Sequence, residues 1–324
     1  MIEEVKYDVA IILINFNSSK HTINCIYSIL KHTSTNINYQ IIISDNASEV
    51  EDYLNLKRFC DQENNSNIKL YRSNINTGFG GGNMHGVQYA NADYLAFLNN
   101  DTLLLNDCIS IFKNYLEKNI DIGIVGGQAY KEDKTFMISS DHFASPLREI
   151  FGKNLLEIIN PVKYPKRKKL FKKPTRVNFV SGSFMFLRTI DFNEIGGFDT
   201  NLFLYHEETD ICKRLLTITK FAVLIPNAQL IHFHGVSTEK CIAIKKELKI
   251  SLLYVIQKHY GFWAHKIVLI FFILKYFISS ILKPKNWPIF LFILKGAPLH
   301  KSLKLTQKIR KINYSNYENN NYKF

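Results

Sequence analysis

Three groups of residues stand at spacings that could do chemistry. The segment Phe203-Leu-Tyr-His-Glu-Glu-Thr-Asp210 places Glu207, Glu208 and Asp210 within four positions. Acids packed so densely repel one another unless they are solvated, paired or functional. The first turn of a helix would equally favour them, through the amide dipoles at its start. Downstream, His232-Phe-His234 ends an apolar run, and strand alternation would put both imidazoles on one face. With Asp101 from another strand end they could form a carboxylate–imidazole site suited to Mn2+ or Mg2+. A histidine standing alone there would more often be structural. The third group, Gly78-Phe-Gly-Gly-Gly-Asn83, leaves backbone amides open to a phosphate or sugar ring, or serves as a flexible turn. It lacks both the G-x-G-x-x-G spacing and a following G-K-[ST], which disfavours NAD and ATP binding.

The elements that must position these groups alternate. Tyr7–Ile14 is a nearly unbroken apolar run of buried-strand type, and Ser18–His32 carries apolar residues at helical spacing through Ile23, Ile26, Tyr27 and Leu30. Strand Tyr39–Ser44, helix Val50–Cys60, strand Ile68–Arg72, helix Met84–Ala90, strand Tyr94–Leu98, helix Asp107–Lys118 and strand Ile122–Gly126 continue the pattern. Such alternation predicts an α/β fold with a mainly parallel sheet. Val177–Leu187 reads as a strand pair or strand-turn around Ser181-Gly-Ser183, and Ala222–Ile225 and Ala228–His232 read as strands. Polar residues recur at the carboxyl ends of the strands: Asn15 and Asn17, then Asp45 and Asn46, then Asn99, Asn100 and Asp101. In open α/β sheets that edge binds ligands. Each residue alone is an ordinary turn former, and their convergence on one edge carries the signal.

Charge divides the chain. Its 324 residues carry a formal net charge of +13. Residues 1–239 are almost neutral at −1, whereas residues 240–324 hold +14, with lysines interleaved among large apolar side chains. That mixture points to an anionic membrane surface rather than to nucleic acid. Within the first part, residues 161–176 hold eight basic residues, three prolines and no acid, which predicts a mobile basic loop near the active face or a solvated charge run. The five cysteines are scattered, without C-x-x-C spacing, as expected of reduced thiols in the cytoplasm. The acidic start Met1-Ile-Glu-Glu lacks the positive charge of a secretory signal.

Taken in order, V-A-I-I-L-I-N-F-N, I-I-I-S-D-N-A-S, N-I-N-T-G-F-G-G-G-N, Y-L-A-F-L-N-N-D-T, S-G-S-F-M-F-L-R, I-G-G-F-D-T-N-L-F-L-Y-H-E-E-T-D and I-H-F-H-G-V-S resemble the family 2 glycosyltransferases of GT-A fold, in their rhamnosyltransferase-like branch. The resemblance covers about residues 7–237. It implies a Rossmann-like, mainly parallel sheet flanked by helices. It implies inverting transfer of a sugar from a dTDP- or UDP-sugar, in this branch dTDP-rhamnose, to a hydroxyl of a glycan or lipid-linked acceptor in cell-surface polysaccharide synthesis. By resemblance, Asn15, Asn17 and Asp45 contact the nucleotide, joined by Asn46 and Asn100. Gly80, Gly81 and Asn83 lie near the donor diphosphate. Asp101 and Asn99 hold a divalent metal (Mn2+ or Mg2+) with His232, or failing that His234. Glu208 is the general base, with Glu207 and Asp210 as alternatives. Two other functions compete: a sugar nucleotidyltransferase, and a basic nucleic-acid- or membrane-binding protein without catalysis. The second fits poorly, since the basic part is strongly apolar.

These considerations divide the chain into a catalytic region, 1–240, and a basic apolar helical region, 241–324. In the latter, Ile267–Leu282 is short for a bilayer and carries Lys275 in its middle. The expectation is helices lying in the membrane interface, with Trp263 and Trp287 at the boundary, on the inner face of the cell membrane. Helices packed on the catalytic core are the alternative.

Overall fold

The computed structural model describes residues 6–233 and 241–311, so His234 lies outside the described residues. The strands are β1 (Tyr7–Asn15), β2 (Tyr39–Asn46), β3 (Ile68–Ser73), β4 (Ala92–Asn99), β5 (Thr102–Leu104), β6 (Ile122–Tyr130), β7 (Ser140–Asp141), β8 (Thr175–Val177), β9 (Phe179–Val180), β10 (Phe184–Arg188) and β11 (Phe221–His232). The helices are α1 (Ser19–His32), α2 (Val50–Glu63), α3 (Gly78–Val87), α4 (Cys108–Lys118), α5 (Pro146–Phe151), α6 (Lys153–Ile159), α7 (Thr189–Glu194), α8 (Glu207–Thr217), α9 (Ile242–Leu282) and α10 (Trp287–Leu294).

The main sheet runs β3-β2-β1-β4-β10-β6-β11-β5, with β8 added on β11. Strands β3, β2, β1 and β4 are parallel, as are β6 and β11, while β10 enters antiparallel between β4 and β6. β1 shows why its sequence is apolar without a break. Val9, Ile11 and Leu13 pack into the layer beneath α1, α2 and α4. Ala10 and Ile12 pack into the opposite layer with α7 and α8. A strand covered on both faces has no polar side to show.

Three sequence expectations shift in register. β9 and β10 do not pair with each other: β9 joins β7, and β10 lies inside the sheet. The two runs ending at His232 form one strand, β11, whose register slips between Ile225 and Gln229. The glycine cluster is helical from Gly78, where an open loop before Met84 was expected. Glycines fit there because α3 presses on its neighbours. A Cβ on Gly86 would stand 2.6 Å from Ile12 Cγ2, and one on Gly78, at φ +76°, would stand 2.0 Å from the carbonyl oxygen of Phe203.

The carboxyl-terminal region both packs on the core and leaves a face open. α9 breaks at Gly261, whose φ of 84° is left-handed. Ile250, Leu253 and Ile256 before the break share a buried cluster with Ala144 and Leu202, and with Phe272 and Ile293 beyond it. The chain then returns toward the sheet. Buried Glu247 accepts hydrogen bonds from Ser302 Oγ (2.9 Å) and the Leu303 amide (2.7 Å). Farther on, the Arg310 amide donates to the carbonyl of Asn74 (2.7 Å).

Candidate active site

The carboxyl ends of β1 and β2 build a buried polar hub. Asn15 Nδ2 donates to Asp45 Oδ2 (3.0 Å), Ser48 Oγ (3.0 Å) and Asp52 Oδ2 (2.9 Å). Thr22 Oγ1 donates to Asn15 Oδ1 at 2.8 Å. Asp45 also pairs with Arg72 at 2.5 Å. Burial pushes its carboxyl above the usual range, against the hydrogen bonds of Ser48 and Asn15 and the charge of Arg72. Asn15 and Asp45 are thus both fully buried beneath the carboxyl edge of the sheet. Asn17, in the left-handed region at φ 51°, is exposed at its rim and accepts from the Glu49 amide (2.7 Å).

Asn46 acts as a clamp. It donates to Asn76 Oδ1 (3.0 Å) and the Gly78 carbonyl (2.9 Å), and accepts from the Thr77 amide and hydroxyl, both at 3.0 Å. This fixes the start of α3. Gly80 and Gly81 are buried within that helix, as is Asn83, whose Nδ2 has no hydrogen-bond partner. An unpaired buried donor is costly and marks a place where a ligand acceptor would be satisfied. Asn100 reaches back to Ser18 Oγ and Thr22 Oγ1, both at 2.7 Å.

The segment after β4 meets the end of β11. His232 Nε2 stands 3.2 Å from Asp101 Oδ1 and 3.5 Å from Asn99 Nδ2. A cleft of about 560 Å³ opens beside His232 and Phe233, walled by Lys131, Glu132 and Met137. No group of three His, Cys, Asp or Glu side chains among the described residues is close enough to hold a metal alone. The local donor set is instead one carboxylate and one imidazole, with the Asn99 amide adjoining.

The loop Ser181-Gly182-Ser183 links that end of the sheet to the acids. The Ser183 carbonyl accepts from the Asn99 amide (3.0 Å), and the Gly182 amide donates to Glu208 Oε1 (3.2 Å). A Cβ on Gly182 would fall 2.7 Å from that carboxylate oxygen, so only glycine lets the Glu208 carboxylate approach. Tyr205 and His206 are both left-handed, at φ 73° and 70°, an uncommon pair that swings the chain into α8.

The three acids of α8 have different surroundings. Asp210 is fully buried, yet it meets His259 Nε2 (2.8 Å), Lys258 Nζ (2.7 Å) and Arg214 (2.7 Å). Burial would raise its carboxyl, but the His259 hydrogen bond and the Arg214 and Lys258 charges prevail and hold it at about 2. Glu207 is buried with Oε1 unpartnered, and burial together with the charge of Glu208 holds its proton affinity far above the ordinary range. Glu208 is raised by burial too, but backbone amides, that of Gly182 among them, pull it back toward the carboxylate.

Sequence reasoning missed Arg72, Gly182, His259 and Arg310. Arg72 and Gly182 sit in ordinary strand and turn contexts. His259 and Arg310 are remote in sequence; the latter pairs with Glu49 at 2.6 Å, just beyond the carboxyl end of β2. Gly182 lies inside the S-G-S-F-M-F-L-R segment, whereas the other three show no local pattern.

An open α/β sheet whose carboxyl edge gathers a carboxylate–imidazole pair beside a hydrogen-bonded glutamate is the plan of a GT-A glycosyltransferase. The profile described as "Glycosyl transferase family 2" matches residues 10–196, and the chain belongs to that family. It is 28% identical over 230 residues to the rhamnosyltransferase WbbL of Escherichia coli (strain K12), covering 68% of this chain and 83% of that protein. It is 28% identical over 89 residues to the N-acetylglucosaminyl-diphospho-decaprenol L-rhamnosyltransferase of Mycobacterium tuberculosis, covering 27% of this chain and 29% of that one. Among solved structures it is similar to GalNAc-T7 with UDP, GalNAc and Mn2+ (TM-score 0.56, 14% identity, 77% of this chain and 48% of that one). It is also similar to the mannosyltransferase PcManGT from Pyrobaculum calidifontis in complex with GDP-Man and Mn2+ (TM-score 0.54, 11% identity, 92% of this chain and 87% of that one). At these identities the structural likeness shows the fold alone.

Proposed function

We propose that this glycosyltransferase moves a sugar, with inversion, from a dTDP- or UDP-sugar to a hydroxyl of a lipid-linked glycan in cell-surface polysaccharide synthesis. The two relatives named as rhamnosyltransferases favour rhamnose as the sugar transferred. The observation that carries the mechanism is the hydrogen bond from the Gly182 amide to Glu208, in the loop that also binds Asn99. An amide can only donate, so it favours the ionised carboxylate of Glu208, the form a general base needs. Asp210 is already spent on Arg214, Lys258 and the His259 imidazole, and Glu207 Oε1 is unpartnered while burial and the charge of Glu208 hold its proton. Glu208 would take the proton from the acceptor hydroxyl as that oxygen attacks the anomeric carbon. The Asp45–Asn15 hub with Asn17 would shape the base and ribose pocket, and Asn83 would offer its unpaired donor to the diphosphate.

Asp101 and His232, with the Asn99 amide adjoining, would be the residues that hold a divalent ion. When bound, Mn2+ or Mg2+ would offset the charge building on the leaving diphosphate.

The enzyme would work on the inner face of the cell membrane. Beyond Gly261, Trp263, Ile267, Ile270, Leu274, Ile278 and Ile281 form one exposed apolar stripe at helical spacing, with Lys275, Lys283 and Lys285 exposed along it. α9 is long and apolar enough to cross a bilayer by composition. Its break at Gly261 and its packing against α10 favour a helix lying in the interface.

Glu208→Gln should lower turnover by about 10²–10⁴-fold while leaving sugar-nucleotide affinity unchanged, measured by transfer assay and calorimetry. Near-normal turnover would remove Glu208 as the base. Thermal shifts with dTDP-rhamnose, UDP-sugars and Mn2+ should identify the donor, and a lack of stabilisation by any of them would defeat the donor assignment.

A further inference from the structure

The short helices α5 and α6 and the chain that follows them carry a second apolar surface, far in sequence from the tail. Leu147, Phe151, Leu155, Ile158, Ile159 and Val162 are all exposed, the last at 90%. Six large apolar side chains open to solvent within sixteen residues exceed the scattered exposure normal for a soluble surface. The polar residues of the same helices are by contrast tied down. Arg148 and Lys153 both pair with Asp141, and His142 meets Glu157 at 3.2 Å. The helices are therefore fixed in place with their apolar residues outward. Directly after them, Lys163, Lys166, Lys168, Lys169, Lys172 and Lys173 are exposed, with no acid between them.

Position joins this surface to both the tail and the base. α5 packs against α9, and Glu149 lies close enough to Lys249 and Tyr276 of α9 to affect their titration. Tyr276 packs on the buried cluster, so α5 meets α9 on the face behind its exposed stripe. On the other side, Asp141 belongs to β7, which pairs with β9 immediately before the Ser181-Gly182 loop that holds Glu208. We propose that α5, α6 and the lysine run 163–173 form, with the stripe of α9, one surface that docks on an anionic phospholipid bilayer and sets Glu208 beside it. The occupant is chosen by charge complementarity: apolar side chains bordered by six exposed lysines suit the acyl–headgroup boundary of an anionic leaflet. The proposal rests on the membrane placement above and extends it to a segment inside the catalytic region.

The test uses the full chain and sedimentation with vesicles of phosphatidylcholine containing phosphatidylglycerol. Ile158→Glu with Ile159→Glu, and separately Lys168→Glu with Lys169→Glu, should each weaken vesicle binding by about tenfold or more. Donor hydrolysis in solution and the melting temperature should stay unchanged, since these side chains are exposed. Lys118→Glu, exposed on α4, should bind as wild type does. If wild type binds the vesicles and both double variants bind equally well, this second surface is refuted and the tail alone docks. If wild type binds no vesicles while transferring sugar to a soluble acceptor, the membrane placement itself falls and the transferase assignment stands.

Discussion

Single residues set the three neighbouring acids of α8 apart. Asp210 is held at about 2 against an ordinary 3.8. A depressed carboxyl contributes stability above its unfolded value and loses it as pH falls through the folded one. The stabilisation, on the order of 2 kcal/mol, should therefore disappear between about pH 4 and pH 2. Chemical denaturation of wild type and Asp210→Asn across that window should show their stabilities converging as pH falls; a constant gap would contradict the ion-pair account. Glu208 behaves oppositely. Burial raises it, so the acid limb of turnover should lie above the ordinary carboxylate range, and a pH–rate profile with its limb near 4 would count against it. Gly182→Ala should move the Glu208 carboxylate, because the new methyl would occupy its place. A displacement of that kind costs about 10²-fold in turnover with donor affinity kept. Steady-state kinetics would reveal a purely structural role by showing kcat intact.

At the scale of elements, the alternation of strands and helices was legible because β1 and β2 are short apolar runs and α1 carries apolar residues at helical spacing. The glycine cluster was not. Flexibility and close approach call for the same residue, and only the packing of α3 on β1 and β2 distinguishes them. Gly86→Val should accordingly crowd Ile12 and destabilise the chain by about 1–3 kcal/mol, seen as a lower melting temperature. An unchanged melt would mean that α3 sits farther from the sheet. β10 was misplaced for a related reason. Its five residues look like any apolar strand, and nothing in Phe184–Arg188 encodes that its partners are β4 and β6.

The whole molecule couples its two parts more tightly than their charge difference implies. Ala144 and Leu202 are buried against α9, and Lys258 and His259 of α9 hold Asp210, two residues beyond Glu208. Removing residues 241–324 should strip that buried carboxylate of two partners and expose the apolar cluster. The fragment should then aggregate or melt without cooperativity, as light scattering and calorimetry would show. A soluble fragment with full transferase activity would instead show the parts to be independent. The sequence by itself determined the α/β class, the polar strand ends and the basic apolar tail, since each is a local pattern of residue type and spacing. Tertiary structure alone decided that Glu208 receives the Gly182 amide, that Asp210 is consumed by α9, and that α5 packs on α9 while α5 and α6 leave apolar side chains exposed. Those outcomes depend on contacts between residues far apart in the chain, and burial, charge and hydrogen bonding act on what is near in space.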